Sequence, residues 1–84
     1  MKSAQLLVLL WIRELSRTGA PREARLRAGF SLSEIAVAVG VSPATIYRWE
    51  TAQRRPTGLA AVRYARLIQS LIDRSSEVRD GATH

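Results

Sequence analysis

Apolar residues between Ser31 and Val39 recur at three- and four-residue intervals, with Ile35, Ala36 and Val39 on one side of a helix. Ser31 stands as a cap before this run, and Glu34 three residues later completes an S-x-x-E capping box. Gly40 then supplies the left-handed residue that ends a helix. Ser42 caps a second run, with Pro43 at its first position, where a missing N–H costs nothing. Ile46 and Trp49 continue a buried stripe at three-residue spacing, which leaves Thr45, Tyr47, Arg48 and Thr51 on the remaining sides. The pattern predicts two short helices, about 31–39 and 42–52, joined by a tight corner that Val41 plugs.

That arrangement is a helix-turn-helix, and the rest of the chain is helical in period as well. Residues 3–17 predict a helix with Ser3 as its N-cap, and Leu6 to Ile12 is apolar on every side. A membrane span needs about 20 apolar residues, far more than this run offers before Arg13 and Glu14. A cleaved leader is disfavoured too, because Arg13 and Arg17 precede any small-residue cleavage site. A helix apolar all round must be covered on more than one side. Residues 3–17 are therefore expected to form a homodimer interface through Leu6, Leu7, Leu9, Leu10, Trp11 and Ile12. Exchange of this helix between protomers is one way to build it, with Thr18-Gly19-Ala20-Pro21 as hinge. The bland alternative is an ordinary core helix within one chain.

Pro21 opens a short second helix, Arg22 to Ala28, with Gly29 as its cap and Phe30 expected as a core anchor. Thr57 caps a last helix over 58–74, in which Ala61, Tyr64, Ala65, Ile68, Leu71 and Ile72 form an apolar stripe. Arg63, Arg66, Ser70 and Asp73 fall opposite, with Leu59 and Val62 nearer that polar side. Residues 75–84 lack periodicity and read as a flexible tail. The expected fold is all-α: a compact bundle of about five helices, in one domain over 1–74, with the apolar N-terminal helix as an extra element.

Composition narrows the function. The 84 residues include no cysteine, and the only histidine is His84, so neither a cysteine nor a histidine metal site is expected. The net charge is +6, with Arg outnumbering Lys by twelve to one. Between Arg22 and Arg66 there are eight arginines against three acids, so the positive surplus follows the helix-turn-helix. Such a patch suits a polyanion. No nucleophile–base pair, paired carboxylates or phosphate-cradling loop appears, so an enzyme is not expected, nor a cofactor, a small-molecule substrate or a membrane.

From Arg22 to about Leu71 the chain resembles the Cro/C1-type (XRE-like) helix-turn-helix family. The resemblance rests on Ala36 at the helix crossing, Gly40 in the turn, the apolar set Ile35, Val39, Val41, Ile46 and Trp49, and the W-E-x-x-x-x-R-P exit ending at Pro56. It implies that the second motif helix enters the DNA major groove while the first crosses the backbone. Ser42, Pro43 and Ala44 then stand at the groove end of the recognition helix, and Thr45 and Ala44 are placed to touch a thymine methyl. Tyr47 and Arg48 lie on its groove face, with Thr51 near its end. Arg48 is the expected base reader, its fork matching guanine O6 and N7. Gln53, Arg54 and Arg55 match a phosphate-gripping loop. The resemblance also pairs Glu50 with Arg25 as a structural ion pair.

Three departures stand out. Leu32 replaces a common polar contact, Ala52 stands where a glycine usually ends the recognition helix, and residues before 18 lie outside the family pattern. The leading expectation is a sequence-specific regulator in the bacterial cytoplasm, most like a small phage Cro-type repressor, bound to a near-palindromic double-stranded operator as a homodimer. An antitoxin that autoregulates its operon, an excisionase-like architectural factor and a helical adaptor that never touches DNA are the alternatives. A β-wing is absent from the pattern, which disfavours the architectural factor.

Overall fold

A computed structural model of the protein describes residues 2–82, with side chains through Ser75. The described residues form five helices, α1 (Ser3–Ser16), α2 (Ala20–Ala28), α3 (Leu32–Val39), α4 (Pro43–Glu50) and α5 (Gly58–Ala82), and no strand. α5 is the spine of the bundle: α1, α2 and α3 all pack on it, while α3 and α4 pack on each other. No described helix is long and apolar enough to cross a membrane.

The core is one contiguous cluster. Leu9 and Ile12 enter it from α1, Ile35, Ala36 and Val39 from α3, Ile46 and Trp49 from α4, and Ala61, Val62, Tyr64, Ala65 and Ile68 from α5. Removing a side chain such as Ile12, Ile46 or Ile68 from water contributes about 1.5–3 kcal/mol each. The Trp49 and Tyr64 rings lie 5.1 Å apart, tilted by 46°, and join α4 to α5. Ala36 is buried against this cluster, and a small residue there lets two helices approach closely.

The corner of the motif forms as its residues dictate. The Ser31 hydroxyl accepts the Glu34 N–H and Glu34 accepts the Ser31 N–H, both at 3.0 Å. Gly40 takes φ +88°, and its N–H and that of Val41 close on the Ala36 carbonyl at 2.8 and 3.1 Å. Ser42 then caps α4 by accepting the Thr45 N–H at 3.2 Å.

Several expectations are corrected. Lys2, rather than Ser3, is the N-cap of α1, because its N–H is taken by the Gln5 side chain at 3.2 Å. Leu9 and Ile12, expected at an interface with another chain, are buried in the chain's own core. Leu6, Leu7 and Leu10 remain 54%, 67% and 52% exposed, and Trp11 is partly buried against the core. α1 is thus a helix with one face seated and one face open. α2 begins at Ala20, after Gly19 at φ +80°. Phe30 is 39% exposed, because its backbone, not its ring, makes the anchor: its N–H donates to the Arg25 carbonyl at 3.1 Å.

Val62 belongs to the core and not to the polar side of α5, whose buried face is widened by three packed helices. Leu71 and Ile72 are only partly buried. The recognition helix stops at Glu50, with Thr51 as its cap. α5 continues past Arg74 to Ala82, into the stretch expected as a tail. No proline interrupts 75–82, and extending a formed helix is far easier than nucleating one. Thr83 and His84, the end of that stretch, lie outside the described residues.

Candidate nucleic-acid interface

α4 is held as a rigid probe by its buried side. Ile46 and Trp49 are in the core, and Glu50 beside them is buried and paired. The Arg25 guanidinium donates to Glu50 through Nε at 2.5 Å and Nη2 at 3.0 Å, and through Nη1 to the Phe30 carbonyl at 2.9 Å. This two-pronged pair locks α2, the α2–α3 connection and the end of α4 together. Hydrogen bonding to Glu50 holds the Arg25 guanidinium above its ordinary range, against the opposing effect of burial. Glu50 is therefore a structural residue, and its charge is neutralised beneath the surface that α4 presents.

The residues expected at DNA fall on the opposite, open side. Ser42, Pro43, Ala44, Tyr47, Arg48, Thr51, Gln53, Arg54 and Arg55 are all exposed, and Tyr47 is 49% exposed. Thr45 is half-buried, and its Oγ1 lies 2.9 Å from the Ser42 hydroxyl, so both hydroxyls already serve the cap. The Thr51 hydroxyl likewise donates to the Tyr47 carbonyl at 2.9 Å. These three groups shape the helix ends before they offer anything to a ligand. Arg48, Arg54 and Arg55 differ. Among the described residues no carboxylate forms a salt bridge with any of them, since the two bridges present are Arg25–Glu50 and Arg27–Glu23.

The turn after α4 brings these arginines together. Ala52 takes φ +57°, and the Gln53 N–H donates to the Arg48 carbonyl at 2.9 Å while the Ala52 N–H reaches Trp49 at 3.3 Å. This is the Schellman arrangement, built here on alanine instead of glycine. The Arg54 N–H also closes on the Arg48 carbonyl at 3.2 Å. Arg48 therefore anchors, through its backbone, the loop that carries Arg54 and Arg55. The loop ends at the buried Pro56, whose carbonyl accepts the Arg13 Nε–H of α1 at 2.8 Å. Sequence reading missed Arg13, because no local pattern links positions so far apart in the chain.

Leu32 is partly buried against the core, so the position that lacks a polar contact has become part of the packing. A solvent-facing helix, an arginine loop pinned to its end and a buried acid beneath them make a surface suited to a phosphate backbone and a groove. The helix-turn-helix family profile matches residues 22–73, which cover α2 through most of α5. The chain belongs to the Cro/C1-type (XRE-like) helix-turn-helix family. No curated protein and no solved structure matches it. The family membership makes this protein a DNA-binding transcription regulator, in a family not typically enzymatic. α1 precedes the matched region.

Proposed function

We propose that the protein is a Cro-like repressor that recognises a near-palindromic operator through the major groove, one copy to each half-site. The observation that carries the reading is the set of exposed arginines Arg48, Arg54 and Arg55, unpaired among the described residues and gathered at the end of α4. Arg48 reads a base and the two loop arginines grip phosphate. Tyr47, Pro43 and Ala44 line the groove beside Arg48, with Gln53 at the phosphate edge. Repression follows from occupancy: a protein seated over a promoter excludes polymerase.

A second copy is held on the open face of α1. Leu6, Leu7 and Leu10 are exposed there, and a groove of about 300 Å³ runs beside them between Leu7, Val8, Trp11 and Ala65. Contiguous exposed leucines on a small domain mark a contact surface. Helix exchange is not required, because Leu9 and Ile12 already fill the chain's own core.

Selection of bound duplexes from a random pool tests the reading. A repeated half-site with centres about ten base pairs apart is expected. Arg48→Ala should relax preference at one base position by about 1–3 kcal/mol. Arg54→Ala with Arg55→Ala should weaken all duplexes alike and flatten the salt slope by about two. Recovery of no enriched sequence, with salt-independent binding, would sink the proposal.

A further inference from the structure

We propose that Arg13 is a positioning residue for DNA binding, which holds the Gln53–Pro56 loop in the shape that presents Arg54 and Arg55. The proposal rests on the reading of those two arginines as phosphate contacts. α1 lies outside the family match, yet its Arg13 Nε–H donates to the Pro56 carbonyl at 2.8 Å in a part-buried setting. Pro56 has no N–H to give, so its carbonyl is the only backbone group by which this residue can be tied. No backbone N–H is paired with that carbonyl among the described residues.

The other end of the loop is fixed by the Arg48 carbonyl, which accepts the N–H groups of Gln53 and Arg54 at 2.9 and 3.2 Å. The loop therefore hangs between two anchors. One belongs to the recognition helix and comes with the motif. The other is α1, outside the matched region, through a guanidinium, which makes a charge-assisted and therefore strong bond to a carbonyl. A loop ordered before it meets DNA forfeits less conformational freedom on binding. Without Arg13 the Pro56 end is released, and the arginines must be ordered by the DNA itself.

Arg13→Met removes the donor and keeps the aliphatic stem, while Arg13→Lys restores a charged donor. On the selected duplex, R13M is expected to bind about tenfold more weakly and R13K to recover part of that loss, an effect of the size of ordering a residue or so of loop. The slope of log affinity against log salt should stay at the parent value in both variants, because no phosphate contact is lost. In the free protein, amide exchange at Gln53 and Arg54, whose N–H groups close on the Arg48 carbonyl, should accelerate in R13M while the amides of α5 around Ala65 and Ile68 keep their protection. That comparison separates loop release from general loosening.

Parent affinity and parent exchange in R13M would overturn the proposal. So would a salt slope lowered by about one, which would make Arg13 a phosphate contact in its own right. A parent chain that binds no duplex would remove the DNA reading and the proposal together. A binding parent with an unaffected R13M removes the proposal alone.

Discussion

At Ala52 an alanine occupies the left-handed region, with φ at +57°. In that region a Cβ crowds the following carbonyl, at a cost of about 1–2 kcal/mol. The Schellman hydrogen bonds from Ala52 and Gln53 back to Trp49 and Arg48 hold it there. Ala52 is exposed, so its methyl returns little packing for the strain. Ala52→Gly should therefore stabilise the fold by about 0.5–1 kcal/mol, the relief outweighing the extra freedom of the unfolded chain. A raised urea midpoint with unchanged slope is the expected signature, and a lowered midpoint would contradict it. Tyr64 is the second anomaly. Its hydroxyl is buried with no hydrogen-bond partner among the described residues. Burial first, and the Glu50 charge second, push this hydroxyl well above the ordinary tyrosine range, with Arg25 opposing. In the unfolded chain the group ionises near pH ~10, so there the unfolded state gives up its proton first. The stability due to Tyr64 is then fully present below about pH 10 and is lost as pH rises beyond it. Tyr64→Phe should remove this alkaline loss and be neutral or slightly stabilising at pH 7, because it deletes a polar atom that is unsatisfied. Thermal unfolding of both proteins from pH 7 to 11 checks it.

Between elements, the Arg25–Glu50 pair carries the register of α2 against α4. Both partners are buried, so deleting one strands the other charge in the interior. Glu50→Ala should cost about 3–5 kcal/mol, most of what a domain this small can lose. Arg25→Met with Glu50→Leu should regain much of that, and a single-variant loss below about 1 kcal/mol would show that the pair is wetter than its geometry implies. This pair, the capped corner from Ser31 to Pro43 and the apolar faces of α3 and α4 were legible in the sequence, because each depends on spacings of three or four residues or on a family register. Other features were not. Val62 reads as polar-side on a helical wheel, but the width of a buried face depends on how many helices cover it, and α5 carries three. Phe30 looks like an anchor by type, whereas its backbone does the anchoring and the ring stays at the surface. Arg13 and Pro56 meet only because α1 folds back along α5, and no local rule relates them. An apolar helix does not announce which of its leucines face its own chain.

For the whole molecule, charge and apolar surface pull association in opposite directions. Each copy carries a net charge of +6, and the open face of α1 offers three leucines and part of Trp11. A stable dimer ordinarily buries about 800 Å² on each partner, more than one short helical face supplies. Two such copies therefore attract weakly through α1 and repel through their arginines. DNA changes the balance, because phosphates neutralise the arginines, and two half-sites hold the copies at a high effective concentration. Self-association in free solution should accordingly be weak, and binding to a two-half-site duplex steeply cooperative. Leu10→Glu places a carboxylate in the α1 contact and leaves the recognition surface untouched. It should abolish cooperativity on the full site by about tenfold or more while a single half-site binds with parent affinity and parent salt slope. Titration of duplexes with one and two half-sites, followed by sedimentation of the complexes, reads both quantities. Parent cooperativity in the variant would show that the copies meet through another surface, and a loss of half-site affinity would show that α1 supports the domain and not its partner.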